Sequence, residues 1–119
     1  MTILVVEDDG EYNKVLGEAL HLYGHNVLSA TNGNEAFETL QHSRVDLVIS
    51  DIEMPTCSGT RLHEMVRHDL RLCMLPFVYI TGYPVLRLAT PLDDKNLDFM
   101  VSKVPFDRIL ETVNQIRSN

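Results

Sequence analysis

The stretch Val45-Asp46-Leu47-Val48-Ile49-Ser50-Asp51-Ile52-Glu53-Met54-Pro55 decides the architecture. An apolar run ends in a carboxylate, and a proline four residues later stops regular structure. Residues 45–50 are apolar at nearly every position, the pattern of a parallel strand covered on both faces. Such a strand needs helices above and below it, and it delivers Asp51 to one edge of a sheet.

Outward from this strand, short apolar runs alternate with helical periodicity. Residues 2–6 form a first strand, followed by Glu7-Asp8-Asp9-Gly10. Tyr12, Val15, Leu16, Ala19, Leu20 and Tyr23 then recur at helical spacing, with Asp9 as N-cap and Gly24 as C-terminal stop. Residues 25–30 form a second, less hydrophobic strand suited to a sheet edge. A short second helix follows, with Asn34 as its cap and Ala36, Phe37 and Leu40 inward. After Pro55 and Gly59, a third helix carries Leu62, Met65 and Val66. Residues 75–80 form a fourth strand running into Thr81-Gly82-Tyr83-Pro84. A short or irregular fourth helix is expected through Val85, Leu88, Ala89 and Leu92, limited by Pro84 and Pro91. Residues 97–101 form the fifth strand. Pro105 opens a last helix with Phe106, Ile109, Leu110, Val113 and Ile116 inward.

The expectation is an α/β fold: one five-stranded parallel sheet with five helices on its two faces, a (βα)5 unit spanning residues 1–119 as a single domain. The composition fits, with 45% hydrophobic and 23% charged residues. No apolar run approaches the roughly 20 residues of a membrane span, and no signal peptide is evident. A formal charge of −7 argues against direct binding of nucleic acid by this domain, because that binding needs clustered Lys and Arg. Cys57 and Cys73 lack metal or redox spacing and are expected to be reduced, in a cytoplasmic setting. His21, His25, His42, His63 and His68 are expected on the surface, and Met54, Met65, Met74 and Met100 in packing roles.

Parallel strands with right-handed crossovers place all carboxyl ends on one edge, where ligands bind. That edge gathers Glu7, Asp8 and Asp9 from the first strand, Asp51 from the third, Thr81 from the fourth and Lys103 from the fifth. Clustered carboxylates repel one another, and a bound Mg2+ relieves this with oxygen ligands. Phosphoryl transfer needs charge neutralisation and in-line positioning above all. Asp51 is therefore the expected nucleophile and phosphoacceptor. Asp8 is the main metal ligand, Glu7 a ligand directly or through water, and the Glu53 backbone carbonyl a further one. Thr81 and Lys103 would hold phosphoryl oxygens, and Mn2+ could replace Mg2+. Asp9 serves better as a helix cap. The Glu53 side chain faces the entrance, Gly82 leaves room for an anion, and Tyr83 either gates access or covers the fourth helix.

These residues resemble the response-regulator receiver domains of two-component signalling. The resemblance rests on Ile3-Leu4-Val5-Val6-Glu7-Asp8-Asp9, on Asp51-Ile52-Glu53-Met54-Pro55 with Gly59, on Thr81-Gly82 and on Lys103. Asp8, Asp51, Thr81 and Lys103 follow one another at separations of 43, 30 and 22 residues. The resemblance implies the strand order 2-1-3-4-5 and a phosphorelay in which a sensor histidine kinase or phosphotransfer protein donates from phosphohistidine. It implies catalysis only of the domain's own phosphorylation and dephosphorylation. Output would pass through the face of the fourth helix, fifth strand and last helix, to a partner, an attached output domain or a second copy.

Three positions depart from the family pattern. The switch residue three before Lys103 is Met100 rather than an aromatic, with Phe99 beside it on the other face of the strand. Val104 separates Lys103 from Pro105. A cis bond at Lys103–Val104 would cost about 2.5–4 kcal/mol, so that bond is expected trans, or the loop remodelled. Asn96-Leu97 replaces the Gly-Ala pair usual before the fifth strand. They motivate an alternative, a pseudo-receiver that binds partners or dimerises without phosphorylation. A small Mg2+-dependent phosphatase is a third reading, disfavoured by the short chain and by Glu53 where an aspartate is expected.

Overall fold

The computed structural model describes residues 1–82 and 96–118. Five strands form one parallel sheet: β1 (Thr2–Val6), β2 (Asn26–Ala30), β3 (Leu47–Asp51), β4 (Phe77–Thr81) and β5 (Asp98–Ser102). Their order is β2-β1-β3-β4-β5. Four helices are described: α1 (Gly10–Leu22), α2 (Gly33–His42), α3 (Gly59–His68) and α4 (Phe106–Arg117). The helix expected between β4 and β5 falls, with Tyr83, outside the described residues.

Strand alternation sorts the core into two layers. Leu4, Val6, Val48, Phe77, Tyr79 and Met100 face Ala36 and Leu40 of α2 and Leu62 and Val66 of α3. Ile3, Val5, Leu47, Ile49, Val78 and Ile80 face Leu16 and Leu20 of α1 and Ile109, Val113 and Ile116 of α4. Both faces of the central strands are thus covered, which is why β3 and β4 lack a polar alternation. The register pairs Val6 with Ser50, Asp51 with Ile80 and Thr81 with Ser102. Asp51 and Thr81 are the last residues of their strands, and Lys103 immediately follows β5.

Asp9 caps α1 as expected, its side chain accepting the N–H groups of Glu11 and Tyr12. Gly24 closes the same helix at φ +91°, a conformation that favours glycine. Several expectations are corrected. The α2 cap is Asn32, which accepts the Glu35 N–H at 2.9 Å, so Asn34 lies inside the helix. On α1 the buried positions are Asn13, Leu16 and Leu20, while Val15 and Tyr23 are exposed. The inward stripe is therefore rotated toward a polar residue that bonds strand-end carbonyls. Met74 is exposed rather than packed. His25 and His63 are buried rather than on the surface, because each has a polar partner inside. His63 Nε2 lies 2.8 Å from Asp98 Oδ1, and Arg67 reaches the same oxygen at 2.5 Å. Cys57 and Cys73 are unpaired, as expected. No described helix is long and apolar enough to cross a membrane.

Candidate functional site

Glu7 follows β1 directly and is 1% exposed. Its Oε2 accepts the Asp9 N–H at 3.1 Å. Its Oε1 lies 2.5 Å from Lys103 Nζ but has no aligned hydrogen bond among the described residues. Burial pushes the Glu7 carboxyl above its ordinary value, while the Lys103 contact and the Asp9 N–H pull the other way. Asp51 presents Oδ1 to its neighbour's N–H, that of Ile52, at 2.8 Å. Its Oδ2 lies 3.2 Å from Lys103 Nζ. Asp8 is exposed at the rim.

Ligand oxygens of Glu7, Asp8 and Asp51 all lie within 4.8 Å of one another. Three hard oxygen donors, one of them buried without an aligned partner, suit Mg2+ or Mn2+ better than a soft metal. Lys103 Nζ lies against two of the three acids, Glu7 and Asp51. Burial alone would lower its pKa, but the close contact with Glu7 and the charge of Asp51 outweigh that and hold it above the usual ammonium value.

The sequence builds this edge with small local devices. Asn13, 5% exposed, directs its side-chain amide at the carbonyls of Glu7 and Ala30, both at 3.1 Å, and of Val5 at 3.4 Å. It ties the ends of β1 and β2 beneath the acids. Gly59 opens α3 so close to β3 that a Cβ there would collide with the Asp51 carbonyl oxygen. Its N–H donates to Ile52 O at 2.8 Å, folding the loop after Asp51 back onto the strand. Tyr12 donates its hydroxyl to the Lys103 carbonyl at 2.7 Å, and its ring lies beneath the Lys103 ammonium. Burial, with the charges of Glu7 and Asp51, raises the Tyr12 pKa, so the phenol keeps its proton.

Of the residues expected from sequence, Glu7, Asp8, Asp51 and Lys103 are brought into one cluster. Thr81 is at the same edge, 5% exposed, and its carbonyl accepts the Lys103 N–H at 3.0 Å. The Glu53 side chain is exposed beyond the cluster. At Gly82 nothing among the described residues crowds a Cβ. Met100 is buried on the α2–α3 side of the sheet, and Phe99 packs half-buried on the α1–α4 side. The one cis bond among the described residues is Val104–Pro105, so the Lys103–Val104 bond is trans as expected. Asn13 and Tyr12 were not singled out as functional from sequence. A polar residue three before Leu16 and seven before Leu20, on the inward face of α1, was the available signal for Asn13.

A five-stranded parallel sheet in this order, with helices on both faces, defines a flavodoxin-like α/β protein. The profile of the response regulator receiver domain matches residues 3–114, and the chain belongs to that family. It is 32% identical to the response regulator receiver protein CpdR of Brucella abortus, over 96% of this chain and 92% of that one. It is 28% identical to a probable transcriptional regulator, ycf29, of Porphyra purpurea, over 98% of this chain but only 62% of that longer protein. The crystal structure of response regulator TrrA from Thermotoga maritima, in complex with Mg2+-BeF, superposes with a TM-score of 0.82. It shares 30% identity and covers 97% of each chain. Receiver domains of this family are regulatory modules of two-component signalling.

Proposed function

We propose that this chain accepts a phosphoryl group on Asp51 from the phosphohistidine of a sensor histidine kinase or phosphotransfer protein. The observation that carries the reading is the convergence of Glu7, Asp8 and Asp51 within 4.8 Å, with Lys103 Nζ against Glu7 and Asp51. A carboxylate oxygen of Asp51 attacks phosphorus; a P–O bond forms and the P–N bond to the donor imidazole breaks. Glu7, Asp8 and Asp51, with the Glu53 carbonyl, would hold Mg2+, which when bound supplies neutralising charge to the phosphoryl oxygens. Lys103 moves its charge from Asp51 onto a phosphoryl oxygen, and the Thr81 hydroxyl donates to another. Hydrolysis of the acyl phosphate by water resets the domain.

Output would pass through Thr81, Phe99 and Met100 to the surface around β5 and α4. This would alter contacts with a partner, an attached output domain or a second copy in the cytoplasm. Tyr83 and Glu53 would tune access and lifetime. A second reading, a module whose contacts ignore phosphorylation, is favoured by one observation. Met100, where an aromatic switch residue is expected, is already buried in the core.

Titration with beryllofluoride in the presence and absence of Mg2+, followed by NMR, tests the first reading. Mg2+-dependent shifts at Thr81 and Lys103 that spread to Met100, and that vanish in Asp51→Asn, are expected. Saturating binding that leaves Met100 and the partner contacts unmoved would favour the second reading, and no binding would defeat the first.

A further inference from the structure

Lys103 is the cation of the proposed site, yet it carries its charge at the end of a flexible four-carbon stem. The residue after it is Val104, 69% exposed, whose φ no ring fixes. Two groups hold the Lys103 main chain. Its N–H donates to the Thr81 carbonyl at 3.0 Å. Its carbonyl accepts the Tyr12 hydroxyl at 2.7 Å, across 91 residues of sequence.

Tyr12 reaches the lysine a second time. Lys103 Nζ lies 5.1 Å from the centroid of the Tyr12 ring, so the π-face supports the ammonium. The ring is itself held edge-on by Phe106, at 5.6 Å between centroids and 84° between planes. Its backbone N–H is fixed by the Asp9 cap at 3.1 Å. A side chain pinned at both ends thus touches the lysine at both of its ends.

We infer that Tyr12 is a positioning residue for phosphoryl transfer. Its hydroxyl sets the main chain at the end of β5, and its ring sets the line along which the Lys103 ammonium enters the acid cluster. The inference rests on the phosphoryl-acceptor reading above. Tyr12 touches no reacting atom; it acts through Lys103 alone.

The test compares wild type, Tyr12→Phe and Tyr12→Leu in two measurements. One is the rate of phosphoryl gain from acetyl phosphate at saturating Mg2+, with Mg2+ affinity measured separately. The other is the NMR resonance of the Lys103 Cε methylene in metal-free protein. Removing the hydroxyl should slow phosphoryl gain about tenfold while Mg2+ affinity stays unchanged. Removing the ring as well should slow it by about a further threefold or more. The Lys103 resonance should move in both variants. Should Tyr12→Leu fold poorly, Tyr12→Phe, which keeps the ring, carries the test. Wild-type rates in both variants would overturn the inference, as would slowed rates with an unmoved Lys103 resonance. If wild type takes no phosphoryl group, the proposed function fails and the resonance alone decides. An unmoved line then overturns Tyr12 as the positioner of Lys103, and a moved line upholds it.

Discussion

Lys103 Nζ lies 3.2 Å from Asp51 Oδ2, joining the ends of β5 and β3. The same nitrogen lies 2.5 Å from Glu7 Oε1. The lysine therefore holds the place beside the acids that a divalent ion would contest, and carries the charge that a phosphoryl oxygen would draw away.

Replacing it separates those two roles. In Lys103→Met the acids lose their resident cation, so Mg2+ should bind at least about threefold tighter. Phosphoryl gain should nonetheless fall by about 100-fold, because the transition-state charge loses its fixed partner. Calorimetric Mg2+ titration and the rate of acyl-phosphate formation read the two effects. Parallel loss of both would show that Lys103 does not compete with the ion.

Gly59, buried at the start of α3, is the second sensitive point. A methyl group there meets the Asp51 carbonyl oxygen, which cannot move without disturbing the end of β3, and crowds Ser50 Oγ. Gly59→Ala should lower unfolding stability by about 1–3 kcal/mol and displace Asp51 enough to slow phosphoryl gain. Urea unfolding beside the same rate assay checks it. A fully stable, fully active variant would mean the loop yields freely.

Asp98 is buried at the start of β5, with its side chain wholly inaccessible and Arg67 and His63 on one oxygen. Arg67 also donates to the carbonyls of Leu75 at 2.7 Å and Cys73 at 3.3 Å, binding α3 to the loop before β4. Asp98→Ala leaves a guanidinium in the core without its counter-charge. It should cost about 3–5 kcal/mol in urea unfolding. A loss under about 1 kcal/mol would show that solvent reaches the site.

His25 gives the fold a dependence on pH. Burial, then the positive charges of the chain's amino terminus and Arg117, lower its pKa below the ordinary imidazole value of 6.5. The unfolded chain therefore binds a proton more readily than the folded one. The stability that the neutral imidazole contributes is complete above 6.5 and is lost as pH falls through the folded value. His25→Gln should flatten the decline of unfolding free energy below about pH 6.5. An unchanged slope would place the responsible proton elsewhere.

The layered sheet and the acid edge were legible because they rest on local signals. An apolar run without alternation means a strand covered twice, and a proline four residues past its end fixes where Asp51 emerges. Strand order came with the family resemblance, since apolar runs carry no record of their neighbours. His63 was misplaced because its partner Asp98 is 35 residues away, and a lone histidine in a helix looks like surface until its carboxylate is seen. Asn13 and Tyr12 were missed for the same reason: each is polar or amphipathic on an otherwise apolar face, and its partners are main-chain carbonyls of other elements. The asparagine at position 34 outranked Asn32 as a cap because both satisfy the same residue preference, and only the backbone of Asn32 is extended.

The most direct test of the account is intact-mass measurement after incubation with Mg2+ and acetyl phosphate. Wild type should gain the mass of one phosphoryl group, the gain should disappear when Mg2+ is chelated, and Asp51→Asn should gain nothing. An unmodified wild type, with acetyl phosphate or with histidine-kinase phosphodonors, or an equal gain in Asp51→Asn, would contradict the claim that Asp51 is the phosphoacceptor.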